Sequence, residues 1–284
     1  MHRIYYKNNI VGDIMTLSNF PTTISHLPNN VTEVLQNLLY GIQEAIGENL
    51  VGIYLRGSLA LGDFDPKTSD IDFLVVINDT ITEEKFANLS VFHSQLASFP
   101  NQYALDLEGA YIDLDALKRY RAGEIHPTIY RGGGLQWGEH RINWVLERWT
   151  VREHGITLIG PDPKKLIEPI SVEELYSAVL VRLRDWVDYA NQLDDPTWRL
   201  PLSHKAYVVE TMCRVMFTLD CGDICSKPHA ILWALETFPE PWRSLVERSQ
   251  SWRIDNVTSP DVNIISEVMR FVHWVASKAG LSKQ

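Results

Sequence analysis

The sequence predicts an α/β N-terminal half followed by an all-α C-terminal bundle, and three observations predict it. Two short apolar runs rich in β-branched residues, 51–55 and 73–77, are bounded by Gly, Pro and Asp, as buried strands are. Gly160-Pro161-Asp162-Pro163, with Pro169 shortly after, is the densest turn signal in the chain. Beyond it the apolar residues recur at helical spacing and no strand-like alternation occurs. A chain of 284 residues is long enough for about two domains. The expected division is an N-terminal arm over 1–30, an α/β domain over 31–160 and a helical domain over 161–284.

Residues 1–30 are polar and aromatic without a clear period. From there Val34, Leu35, Leu38, Leu39, Ile42, Ala45 and Ile46 form a helical stripe that Asn30 can cap and Gly47 can end. After the two strands, residues 104–114 alternate apolar and polar and read as a third. Gly132-Gly133-Gly134 reads as a flexible turn, since no Lys-Ser/Thr follows it as in a phosphate-cradling P-loop. A helix is expected over about 141–154. In the second half, Ser171 and Glu174 make a capping box. The helix it opens has the stripe Leu175, Ala178, Val179, Leu183, Trp186, Val187 and Ala190. Further helices are expected over about 205–219, 228–237 and 261–279.

Composition excludes more than it identifies. Lys and Arg number 26 against 36 Asp and Glu, a net charge of −10 that argues against a partner held by phosphate neutralisation, so no nucleic acid is expected. Cys213, Cys221 and Cys225 are odd in number and lack a C-x-x-C, so they read as free, buried apolar side chains in a cytoplasmic protein. No apolar run approaches a membrane span, and no apolar segment follows the first basic residues as in a signal peptide. The nine His show no zinc spacing and no H-E-x-x-H, and no G-x-S-x-G elbow occurs.

The informative stretch is 55–76, where a strand ends at Gly57-Ser58, a loop with Gly and Pro follows, and the next strand opens with Asp70-x-Asp72. Side chains two apart on a strand share a face, so the two carboxylates point the same way. Such a pair is electrostatically costly unless a cation sits between them. Mg²⁺ prefers few carboxylates plus phosphate oxygens, the arrangement nucleotidyl transfer needs. Gly57 lets the backbone approach a phosphate, and Ser58 can donate to it.

With this motif the sequence resembles the nucleotidyltransferase superfamily of DNA polymerase β-like fold, and within it the adenylyltransferases that modify streptomycin and spectinomycin. Glu108-Gly109-Ala110-Tyr111-Ile112 resembles their strand bearing a third carboxylate, Leu135-Gln136-Trp137-Gly138-Glu139 a Leu-Gln-Phe-Gly-Glu segment, and residues 154–161 their domain-joining segment. Arg214 and Lys227 stand at the separation of the family's two ATP-phosphate-binding basic residues.

The resemblance implies a mixed sheet flanked by helices, ATP and Mg²⁺ as cofactors, and an active site in the cleft between the halves. It assigns Asp70 and Asp72 to the metal, Gly57, Ser58, Ser69, Arg214 and Lys227 to the nucleotide, and Glu108 to the general base. Asp106 shares the face of Glu108 by period 2 and is the alternative base. The expected partners are a small-molecule antibiotic and the nucleotide, and a monomer is expected. A cationic acceptor calls for carboxylates and flat rings, and Glu139, Trp186, Asp194, Asp195 and Trp198 are the candidates. The sequence departs from the family at His204 and Lys205, where an acidic residue is expected, and in an insertion over 187–196. Trp233, Trp242 and Trp274 read as core, and Trp252 lies near a family aromatic that stacks on adenine. Two other readings stand beside antibiotic adenylylation: transfer to a protein hydroxyl or tRNA end, and a catalytically silent nucleotide-binding module.

Overall fold

In a computed structural model that describes residues 27–281, the two β-branched runs become β1 (Leu50–Leu55) and β2 (Ile71–Ile77), paired antiparallel. The arm expected over 1–30 lies almost wholly outside the described residues. β3 (Leu107–Asp113) runs parallel to β2, a connection that needs a crossover, and α3 (Glu83–Ala97) supplies it. With β4 (Ile125–Ile129), β5 (Leu135–Glu139) and β6 (Ile156–Ile159) the sheet has six strands in the order β5-β4-β3-β2-β1-β6. The sheet is therefore mixed, as expected.

All seven residues of β2 are buried, because helices cover both faces of the sheet. On one face Ile53, Leu55, Phe73 and Val75 pack with α1 (Asn29–Ile46) and α3. On the other, Tyr54, Leu74 and Val76 pack with Trp144 and Val151 of α5 (Asn143–His154) and with α4 (Leu114–Lys118).

The second half is helical throughout: α6 (Val172–Asn191), α7 (Leu202–Cys221), α8 (Lys227–Thr237), α9 (Trp242–Trp252) and α10 (Val262–Lys278). The capping box is formed, with Glu174 N donating to Ser171 Oγ at 3.2 Å and Ser171 N donating to Glu174 Oε2 at 2.8 Å. Leu183, Val208, Met212, Leu245 and Phe271 anchor one apolar core, onto which Trp233, Trp242 and Trp274 pack. Cys213 and Cys225 are buried and free, whereas Cys221 is exposed at the end of α7, contrary to the expectation of burial. Among the described residues no helix is long and apolar enough to cross a membrane.

Candidate active site

The site starts from one glycine. α2 (Gly57–Ala60) is a single turn after β1, and Gly57 enters it at φ 61°, a conformation that favours glycine. A Cβ there would stand 1.9 Å from Asp72 Oδ2, so the missing side chain is also what lets the turn lie against the carboxylate. The next residue, Ser58, holds a buried Oγ with no hydrogen-bond partner. Such a group is costly unless something fills its need.

Strand register brings the carboxylates together. Asp72 and Glu108 are direct partners on the parallel strands β2 and β3, so both side chains leave the same face. Asp70 precedes Asp72 by two residues and joins them. Burial raises the pKa of Asp70 and of Glu108, and the neighbouring carboxylates push both further. Burial likewise raises Asp72, against the pull of Arg56.

Arg56 is the residue that holds this charge in place. It is 8% exposed, and its Nη1 lies 3.0 Å from Asp72 Oδ1 and 2.7 Å from Glu147 Oε2. Its guanidinium also sits over the Trp144 ring at 5.7 Å. Burial works against its charge, but Asp72 and Glu147 outweigh it and raise its pKa.

These groups face a cavity of about 440 Å³ between the two halves of the chain. Gly57, Ser58, Ser69, Asp70, Asp72 and Glu108 line it from the sheet side, and Trp186, Arg214 and Lys227 from the helical side. Arg214 Nε donates to the Cys225 carbonyl at 3.2 Å, and Lys227 Nζ lies 5.3 Å from the Tyr207 ring centroid. Asp106 is absent from the lining and pairs with Arg131 at 2.8 Å, whereas Glu108 lines the cavity.

Four of the expected acceptor residues lie off the cavity. Glu139 is on the exposed strand β5, 3.9 Å from Arg141. Asp194 is exposed, and Asp195 caps a 3-10 turn by accepting from Thr197 N at 2.8 Å. Trp198 is 1% exposed, stacked on Tyr189 at 4.3 Å with the Lys205 ammonium 5.4 Å from its ring centroid. Asp195 and Trp198 thus have structural tasks in the cap and the helical core. Trp252 also misses the cavity and packs on the helical core, while its neighbour Arg253 does line it.

Sequence reasoning passed over Arg56, Glu147, Arg182, Tyr207 and Arg253, all on the lining. Arg56 had a signal, a charge at the end of an apolar strand beside the Gly-Ser turn. The others had none, since single charged or aromatic residues on helices look like solvated faces.

A Gly-Ser turn against three carboxylates at the edge of a mixed sheet defines the class: the chain is a nucleotidyltransferase. Residues 39–108 match the nucleotidyltransferase domain model. Residues 165–278 match the C-terminal domain model of the aminoglycoside adenylyltransferases, so the helical half is similar to theirs. An aminoglycoside (3'') (9) adenylyltransferase of Escherichia coli is 23% identical over 263 residues, covering 86% of this chain and 93% of the relative. A spectinomycin 9-adenylyltransferase of Campylobacter jejuni is 23% identical over 273 residues, covering 92% and 96%. The crystal structure of a spectinomycin adenyltransferase from Enterococcus faecialis, with ATP and spectinomycin, shares the fold with a TM-score of 0.66 at 17% identity. It covers 88% of this chain and 99% of that one.

Proposed function

We propose that this cavity transfers AMP from ATP to a hydroxyl of an aminoglycoside or aminocyclitol antibiotic and releases pyrophosphate. One observation carries the reading: Ser58, Asp70, Asp72 and Glu108 from the sheet and Arg214 and Lys227 from the helices line the same cavity. The antibiotic and adenylyltransferase names of the relatives support the acceptor and the nucleotide.

Catalysis of such a transfer is mostly positioning and charge stabilisation. The unpartnered Ser58 hydroxyl donates to a phosphate oxygen, and Gly57 keeps the turn close enough for it to do so. Arg214 and Lys227 take the triphosphate and stabilise the charge that grows on the leaving pyrophosphate. Glu108 accepts the proton of the acceptor hydroxyl, and burial beside two carboxylates makes it a stronger base than a solvated glutamate. Asp106, tied to Arg131, takes no part.

The donor set fits Mg²⁺. Among the described residues no three His, Cys, Asp or Glu side chains form a complete metal centre. Two carboxylates that need phosphate oxygens to complete a shell are what this ion uses. Asp70 and Asp72 would hold it, with Arg56 beside Asp72 at 3.0 Å. When bound, the ion offsets charge on the attacking and leaving oxygens.

The test is pyrophosphate release by purified protein with ATP, MgCl₂ and spectinomycin or streptomycin. Release is expected with at least one drug, and Asp72→Asn should abolish it. ATP binding by calorimetry without pyrophosphate from either drug would remove the acceptor assignment.

A further inference from the structure

We infer that Arg253 is a further contact to the nucleotide phosphates and that Glu210, buried behind it, is the positioning residue that aims it, an inference that rests on the adenylyl-transfer reading of the cavity. Arg253 follows α9 directly and lines the cavity between the two halves. Its Nε lies 3.2 Å from Oε1 of Glu210. Glu210 is 6% exposed and stands off the cavity lining. A guanidinium carries five N–H donors in a rigid fork, so a carboxylate on Nε leaves other donors for an anion. Glu210 precedes Arg214 by one turn on α7, so the two share a helix face. Burial pushes the Glu210 carboxyl up, and Arg253, Lys227 and Arg214 pull against that rise. One buried carboxylate therefore stands in the field of three cations that line the cavity.

That carboxylate answers a problem of charge. Three cations gathered on one wall repel one another, the more so away from bulk water, and Glu210 offsets the repulsion before a ligand arrives. It also fixes the Arg253 side chain, so less freedom is lost when an anion binds. Location selects the nucleotide as that anion. Asp65 is held below its ordinary pKa first by hydrogen bonds from Lys67 N and the Thr68 hydroxyl and then by the charge of Arg253. Arg253 thus stands beside the loop that leads to Ser69 and Asp70, the nucleotide side of the cavity. Other arginines on the lining are held differently. Arg56 is taken by Asp72 and Glu147, Arg131 by Asp106, and Arg182 by the half-exposed Asp185. Among these four arginines Arg253 is the one whose partner is both buried and off the lining.

The experiment compares ATP with adenosine, which keeps the base and ribose and lacks every phosphate. Calorimetry measures the affinity of both for the wild type, Arg253→Ala, Arg253→Lys, Glu210→Gln and the double variant Glu210→Gln/Arg253→Ala. The double variant removes both partners, so it leaves no buried carboxylate unpaired and keeps the test open if Arg253→Ala alone fails to fold. Arg253→Ala and the double variant should lose about tenfold or more in ATP affinity, as expected for a hydrogen bond to a charged group, with adenosine affinity within twofold of wild type. In the pyrophosphate assay the loss should appear in the KM for ATP, with kcat within a few-fold. Arg253→Lys should recover part of the affinity, since it keeps the charge without the fork. Glu210→Gln should weaken ATP by a smaller factor, and Arg253→Ala should cost less in that background than in the wild type. ATP affinity within twofold of wild type in the double variant, or an equal loss for ATP and adenosine, overturns the contact. Full additivity of the two substitutions overturns the positioning role of Glu210. A wild type that binds no ATP overturns the underlying reading, and this assignment with it.

Discussion

Replacing Gly57 by alanine separates the two demands that the Gly-Ser turn makes. The first is conformational: at φ 61° a side chain costs about 1–2 kcal/mol. The second is steric. The new Cβ would stand 1.9 Å from Asp72 Oδ2 and 2.7 Å from its Cγ, well inside ordinary van der Waals contact. Asp72 has little freedom to give way, because Arg56 holds Oδ1 at 3.0 Å and its own carbonyl accepts from Arg56 N at 3.0 Å. The carboxylate must therefore move by about 1 Å or more, a displacement that costs on the order of 100-fold in rate when it misplaces a reacting group. Gly62 is the control. Its φ of 76° carries the same conformational penalty, but a Cβ there meets nothing within 4 Å. Gly57→Ala and Gly62→Ala should thus lose similar stability from backbone strain, about 1–2 kcal/mol by denaturant titration, with some added loss for Gly57→Ala. Only Gly57→Ala should lose kcat/KM by about 100-fold or more in the pyrophosphate assay. Equal activity in the two variants would refute the idea that glycine is needed for the approach to Asp72.

Two further outcomes follow from single side chains. Glu108→Gln should lower kcat by about 10²–10⁴-fold with little change in ATP affinity, while Asp106→Asn should stay within a few-fold of wild type. The reverse order would transfer the role of base to Asp106. Lys205 is fully buried, and burial lowers its ammonium pKa to about 8. Below pH 8 both the folded and the unfolded chain hold that proton, and the folded chain bears a buried charge. Between about 8 and 10.5 the unfolded chain keeps a proton that the folded chain has released, so stability from this group rises with pH. Lys205→Met should therefore stabilise the protein at pH 7 by about 1–3 kcal/mol. That gain should shrink from pH 8 to pH 10, and a gain that stays flat across this range would contradict the assignment.

The parts of the fold legible in the sequence are those whose period is strong. β1, β2 and the capped helix α6 combine apolar stripes with turn or cap residues, and local chemistry sufficed. β4 hid because Pro127 and His126 break its pattern, and β6 because four residues beside a turn cluster look like linker until β1 pairs with them. α3 buries only Leu89, His93 and Leu96, and a histidine in the stripe masks the period. The site divides in the same way. Asp70 and Asp72 share a face through strand geometry alone. Glu147 and Arg182 reach the cavity only through the docking of α5 and α6, which no local pattern encodes. The acidic acceptor candidates Glu139, Asp194 and Asp195 are off the cavity lining. Asp195 looks available in sequence, yet its carboxylate is used up in capping the turn that contains Trp198.

The distribution of charge across the cleft explains why both halves are needed for one reaction. The sheet edge contributes Asp70, Asp72 and Glu108 and the helical half contributes Arg182, Arg214, Lys227 and Arg253, so under the proposed function the nucleotide needs both halves. Their alignment depends on a short segment that touches both. Asp63, in the loop after the Gly-Ser turn, accepts from the hydroxyl of Ser226. Ser226 is the N-cap of α8, where its Oγ accepts from His229 N at 3.3 Å, and Lys227 is the first residue of that helix. One residue earlier, the Cys225 carbonyl accepts from Arg214. Arg214 and Lys227 are therefore tied to one segment, and that segment is tied to the loop that follows the Gly-Ser turn. Any shift of the helical half moves Arg214 and Lys227 together relative to Asp70 and Asp72, so cleft geometry rather than individual rotamers sets how well the charges meet the phosphates.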